Sequence, residues 1–206
     1  YRGAVCMNCH VAQLGNGENT AFQYRCNGGG MIVTYNGESK VVATKVGDMP
    51  SGAVYEKWHP TLPLIAFSNN TVRQLFPSNG IAKIEVLDFR SDLLLYDVEK
   101  NTIRYVLKGD DASETYPVWS PDGKYLYYCS TDTPYVVGVA HQYEKQKYDL
   151  MRIVFENDTF GVPEMVYNAS AHNHSVAKPR ISPDGRYVAM TVSKYGAYHY
   201  MHRSSD

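Results

Sequence analysis

Three copies of one short unit constrain this chain more than any other feature: Trp58 to Ser68 (WHPTLPLIAFS), Trp119 to Ser130 (WSPDGKYLYYCS) and Ile181 to Ser193 (ISPDGRYVAMTVS). Their prolines, Pro60, Pro121 and Pro183, stand 61 and 62 residues apart, and a fixed period of that size marks a repeat architecture. The unit has a readable physics. An apolar residue ends one strand, Ser-Pro-Asp-Gly makes a tight turn, and a β-rich run returns antiparallel. Proline presets φ in the turn, while Gly123 and Gly185 supply the permissive backbone. In the first copy Thr61 and Leu62 replace Asp-Gly, so that turn takes a different shape.

A second hairpin follows each of the first two copies. Asp92 to Asp97 and Thr102 to Leu107 flank the polar turn Glu99-Lys100-Asn101; Asp149 to Ile153 and Pro163 to Tyr167 flank Glu156-Asn157-Asp158. Two hairpins give four antiparallel strands, which is one propeller blade. The period exceeds the ~40–45 residues of compact blades. The surplus falls in Val72 to Asp88 and Thr131 to Tyr148, predicted as long loops or extra hairpins between second and third strands. Tyrosine, at 18 residues, adds to the valines and threonines in favouring pleated strands.

The fold class expected is all-β: a partial β-propeller of four-stranded antiparallel blades. Residues 20 to 47 are expected to supply the last strands of one blade, 52 to 107 a second, 112 to 167 a third, and 176 to 206 the opening strands of a fourth. Closure takes about 4–8 blades, so the ring is incomplete in this chain. The chain opens on Tyr1 without a signal-like segment and reads as a fragment, a processed product, or an arc that a partner completes. The domain division expected is an N-terminal segment, 1–19, ahead of propeller blades, 20–206. Asp92 and Asp149 recur at equivalent blade positions and read as repeat architecture, not as an acid/base pair.

The Ser-Pro-Asp-Gly-(Lys/Arg)-Tyr turns, each paired with an Asp-Leu strand, resemble the TolB-like propeller-repeat family over residues 50 to 195. The resemblance implies a propeller in the bacterial envelope, with a protein partner there and a lipid anchor outside this chain. It names no activity, because such propellers host binding, scaffolding and catalytic roles.

The motif that carries chemistry is Cys6-Met7-Asn8-Cys9-His10, a C-x-x-C-H attachment signature for haem c. Two thiols at this spacing would reach the two vinyl groups of one porphyrin, and the adjoining imidazole its iron. Cys6 and Cys9 are thus the expected cofactor-binding residues and His10 the axial metal ligand of a single covalent haem. Three other readings stay open: a dithiol redox pair, a zinc site drawing on Cys6, Cys9, Cys26 and a histidine, and two buried cysteines beside an unrelated histidine. A C-(M/V)-N-C-H segment ahead of propeller repeats also resembles envelope proteins of Bacteroides-type bacteria, which supports haem plus propeller and an extracytoplasmic location. Sixth-ligand candidates are Met31, Met49, His59 and the terminal group His199, Met201 and His202, with an open position equally admissible. His172 and His174 read as solvated. A Cys26–Cys129 disulfide is open in an oxidising compartment, although Cys129 also suits a small buried position in its strand.

Other classes are excluded. Twenty basic and 21 acidic residues are interspersed, so no face is marked for nucleic acid. The longest apolar runs, Leu93 to Leu95 and Val136 to Ala140, are too short to span a bilayer. Asn27-Gly28-Gly29-Gly30 lacks the residues of a phosphate loop, and no G-x-S-x-G elbow exists. The function expected first is a c-type cytochrome-like propeller for electron transfer or redox sensing. The alternatives are a non-catalytic binding or scaffold subunit of an envelope complex, and a haem-dependent redox enzyme.

Overall fold

The structure is a computed structural model and describes residues 6–25, 30–45, 47, 49, 52–75, 85–88, 90–109, 112–133 and 145–194. Every sheet is antiparallel, and no α-helix occurs among the described residues. The first sheet is a meander of β1 (Cys6–Gln13), β2 (Asn16–Arg25), β3 (Gly30–Tyr35) and β4 (Glu38–Val42). In the second, β5 (Val54–Trp58), β6 (Leu64–Ser68), β9 (Leu93–Asp97) and β10 (Thr102–Leu107) lie in that order. The 72–88 surplus is an inserted hairpin, β7 (Val72–Leu75) with β8 (Glu85–Asp88), as one of the two expected forms. The third sheet joins β11 (Ser113–Trp119), β12 (Tyr125–Thr131) and β13 (Asp149–Glu156), with β14 (Thr159–Phe160) and β15 (Glu164–Tyr167) both on β13. Most of the second surplus, 134–144, lies outside the described residues. A last hairpin pairs β16 (Ser175–Ile181) with β17 (Val188–Ser193).

The edge strands β1, β5, β11 and β16 pack side by side in consecutive order, so the sheets fan out around one axis. This is the all-β partial propeller that the repeats imply. One element differs from the sequence reading. The first sheet begins at Cys6, not near residue 20, and residue 20 lies within β2. Its opening hairpin was hidden because Gln13-Leu14-Gly15-Asn16 lacks the Ser-Pro-Asp-Gly signal, although Gly15, at φ 73°, does what Gly123 does elsewhere.

Three apolar clusters fill the gaps between consecutive sheets. The second sheet is covered on both faces, so its two central strands, β6 and β9, are near-continuously apolar where a one-sided sheet would alternate. Ile65 and Phe67 of β6 with Leu94 and Tyr96 of β9 face the first sheet and meet Ala21, Met31 and Val33. Leu64, Ala66, Leu93 and Leu95 point the other way, onto Trp119, Leu126, Tyr128 and Ile153. The third cluster, around Tyr116, Cys129, Tyr148 and Val176, seats the last hairpin. Fully burying side chains of this size is worth roughly 1.5–3 kcal/mol each, so the sheet-to-sheet gaps, not the hairpins, hold the arc together.

Candidate functional site

Each inner strand carries the same irregularity. Cys9, Tyr55, Tyr116 and Lys178 have φ of 53, 60, 55 and 52°, at the points where the register of β1, β5, β11 and β16 slips against the neighbouring strand. In every case the residue stands four positions before the one that opens the next turn, namely Gln13, His59, Ser120 and Ser182. Left-handed backbone at non-glycine residues costs about 1 kcal/mol or more, so a fourfold recurrence with four unlike or bulky side chains is set by the fold and not by residue type. The scaffold repeats while its side chains vary, which is the pattern of a framework presenting different groups around its axis. Tyr55 and Tyr116 pack with their rings tilted, 4.5 Å between centroids. Lys57, half-buried on β5, has its ammonium pKa lowered by burial and then by the nearby Arg180 guanidinium of β16. The Lys57 ammonium makes no hydrogen bond or ion pair among the described residues, and Arg180 bonds only the carbonyl of Pro179.

Cys9 and His10 therefore belong to the inner strand of the first sheet. Both are exposed, and the imidazole stacks on Phe22, its cross-strand neighbour, at 6.1 Å. Cys6 pairs in register with Arg25; its side chain is outside the described part. The donor types suit haem c: Cys6, Cys9 and His10 lie along one strand, β1, whose register slips at Cys9, and two thioethers with an axial imidazole would have to converge on one porphyrin edge. The sixth-ligand candidates fare unequally. Met31 and Met49 are core residues, and His199, Met201 and His202 lie outside the described residues. No group of three or more His, Cys, Asp or Glu among the described residues could hold a metal ion. Cys129 is a free, fully buried thiol whose pKa burial pushes up, and Cys26 lies outside the described residues. His172 is exposed against Tyr167, and His174 is half-buried.

At the turn end of the arc the two Ser-Pro-Asp-Gly copies are superimposable in their bonding. Ser120 Oγ donates to Asp122 and accepts from Tyr125 N–H, and Gly123 N–H returns to Ser120; Ser182, Asp184, Tyr187 and Gly185 repeat this. In the second sheet His59 takes the serine's place. Its Nδ1 accepts from the N–H groups of Thr61 and Leu62, leaving Nε2–H to donate to the Gly123 carbonyl at 3.2 Å. Both nitrogens are thus committed, which removes His59 as an iron ligand. The ring plugs the notch between the second and third sheets against Trp119 and Phe155. Between the third sheet and the last hairpin Ser120 leaves the equivalent notch open, as a groove of about 540 Å³ lined by Asp122, Tyr125, Tyr127, Arg152 and Gly185.

The opposite end of the second seam is polar. Asp92 accepts from Gly109 N–H at 3.3 Å, and Asp149 accepts from Ser170 N–H at 2.7 Å, so both aspartates pin the loop leading to the next sheet, as their recurrence implies. Beside Asp92 lies Glu114, 7% exposed, whose Oε2 has no partner. Burial and then the Asp92 carboxylate raise its pKa to about 7. Sequence reasoning missed Glu114, His59's double role and Lys57. The only signal for the first two was their departure from the repeat: His for Ser in one turn, and a glutamate within Ser113-Glu114-Thr115 where Ser175-Val176-Ala177 stands in the last hairpin.

No protein-family profile matches the chain, and no curated protein matches it. Solved structures do. TolB from Acinetobacter baumannii aligns at 14% identity over 88% of this chain and 37% of that one, with a TM-score of 0.52. The fold is TolB-like. A protein assigned as TolB from Agrobacterium tumefaciens aligns at 13% identity over 90% of this chain and 69% of that one, TM-score 0.40. An oligogalacturonate lyase from Vibrio parahaemolyticus gives 13%, 87%, 56% and 0.31 for the same measures. At such identities the likeness is one of fold alone, and the chain spans little more than a third of the Acinetobacter protein's length. No helix among the described residues is long and apolar enough to cross a membrane.

Proposed function

We propose that this chain is part of an extracytoplasmic TolB-like propeller that works by binding, with the arc of inner strands as its ligand face. The observation that carries this is the pair Lys57 and Arg180, two cations brought together at that face, neither of them in an ion pair among the described residues, with the buried Glu56 carboxylate and the Cys9 thiol only partly offsetting the charge on Lys57. Holding an ammonium half-buried beside a guanidinium opposes its charge, so the arrangement is prepared for an anionic ligand, a carboxylate being the simplest. The resemblance to the TolB-like family supports an envelope location and a protein partner there. Titration of the full-length protein with a tetraglutamate peptide, followed by tryptophan fluorescence, tests the reading. Trp119 donates its indole N–H to the Lys57 carbonyl and sits where such binding is felt. Binding should weaken at least about tenfold in Lys57→Met, a loss of ~1.4 kcal/mol; equal affinity of both proteins would refute it.

A second reading attaches one haem c through Cys6 and Cys9 with His10 as axial ligand, making the protein a c-type cytochrome-like propeller for electron transfer or redox sensing. Its support is the adjacent exposure of Cys9 and His10 at the bulge. Intact-mass and absorbance measurements on protein from its native envelope decide it: a haem adduct lost in the Cys6→Ser, Cys9→Ser double variant supports it, and an unmodified mass ends it.

A further inference from the structure

The seam between the second and third sheets at the strand-start end is built from side chains and loop backbone. Glu114 N–H donates to the Ser91 carbonyl at 2.9 Å, and Ser91 N–H to Ser113 Oγ at 3.2 Å. Asp92 N–H donates to Asn69 Oδ1 at 2.7 Å, and Asn70 Nδ2 to Thr115 Oγ1 at 2.9 Å. Ser91, Asp92, Ser113, Thr115, Asn69 and Asn70 are all nearly inaccessible. Inside this knot two oxygens lack partners, Glu114 Oε2 and Ser91 Oγ. The charged and titratable groups facing Glu114 among the described residues are the Asp92 carboxylate at the start of β9, the Arg90 guanidinium just before it, and the Tyr128 hydroxyl of β12. A buried carboxylate beside a second carboxylate, with an orphaned oxygen of its own, is a poor place for negative charge and a tolerable one for a neutral acid.

We propose that this seam is a pH-sensitive latch, closed while Glu114 carries a proton and loosened when it ionises against Asp92. The direction follows from linkage. Glu114's pKa is about 7 folded against 4.5 in the unfolded chain, so its contribution is fully present below pH 4.5 and is lost as pH rises through about 7. Loosening releases the bonds that tie the loop before β9 to the start of β11, and with them the base of the inserted hairpin. The device is independent of what the inner strands bind.

Hydrogen exchange on the full-length protein at pH 5.5 and 8, corrected for intrinsic rates, reads the latch at the amides of Ser91, Asp92 and Glu114. Protection there should fall about 10- to 100-fold at the higher pH, while Gly123, at the other end of the seam, keeps its own. Glu114→Gln, which imitates the neutral acid in shape, should fold and remove the pH dependence. Asp92→Asn should move the midpoint to lower pH. PH-dependent protection persisting in Glu114→Gln, or none in the parent protein, overturns the proposal.

Discussion

The two ends of the seam between the second and third sheets use buried titratable groups in opposite ways. At the turn end His59, 3% exposed, has a built partner for each nitrogen and stays neutral because burial lowers its pKa. At the strand-start end Glu114 is about as deeply buried, lacks a partner for one oxygen and faces another carboxylate. The difference teaches that burial alone does not decide what a polar group does for a seam; the number of bonds waiting for its neutral form does. The satisfied end should resist perturbation and fail abruptly, and the unsatisfied end should respond gradually to pH.

The largest expected effect breaks the satisfied end. A Cβ on Gly123 would lie 2.4 Å from His59 Cε1 and Nε2, at a residue with φ of 73°. Gly185 has nearly the same φ, but its Cβ would meet only Pro121 Cδ at 3.9 Å. Gly123→Ala should therefore cost about 2–4 kcal/mol, from left-handed strain plus the collision, and Gly185→Ala about 1 kcal/mol from strain alone. Urea midpoints of the two variants measure the difference, and equal losses would mean that the His59 plug adds no rigidity.

Removing the plug is next in size. His59→Ala strands the Thr61 and Leu62 N–H groups and the Gly123 carbonyl and empties a packed ring site, for a loss of about 2–3 kcal/mol. The sign of its pH dependence is opposite to Glu114's. His59's folded pKa is depressed, so its contribution is present above the unfolded value near 6.5 and is lost as pH falls through the folded one. Stability measured from pH 7.5 down to 5 should fall more steeply in the parent than in His59→Ala; parallel slopes would place the acid sensitivity elsewhere.

What the sequence made legible divides along the same line. The Ser-Pro-Asp-Gly turns at Ser120 and Ser182 carry their geometry in their residue types, because each side chain bonds within four or five residues of itself, and the blade pattern followed from them. The inner-strand bulges are set by register against a neighbouring strand, so Cys9, Tyr55, Tyr116 and Lys178 share a backbone conformation but, beyond the two tyrosines, no chemistry that a reader of the chain could match. For the same reason Cys9 and His10 stood out as a motif while their place in a strand did not. Lys57 and Arg180 are 123 residues apart and meet only through the order in which the inner strands pack.

The smallest expected effect sharpens the contrast between groups kept for the fold and groups kept for a ligand. Trp119 and His59 stabilise the seam beside Lys57, yet the Lys57 ammonium is half-buried, lowered in pKa despite the neighbouring Glu56 carboxylate, and in no ion pair among the described residues. A methionine keeps the length and most of the packing of the stem while relieving the desolvated charge and its repulsion from Arg180. Lys57→Met should therefore raise stability slightly, by about 0.5–1 kcal/mol, whereas Gly123→Ala and His59→Ala lower it. A thermal melt at pH 7.5 and low salt gives the sign. A stabilised Lys57→Met protein that has also lost tetraglutamate binding would identify Lys57 as a residue held against the fold's own preference, and a destabilised one would return it to the scaffold.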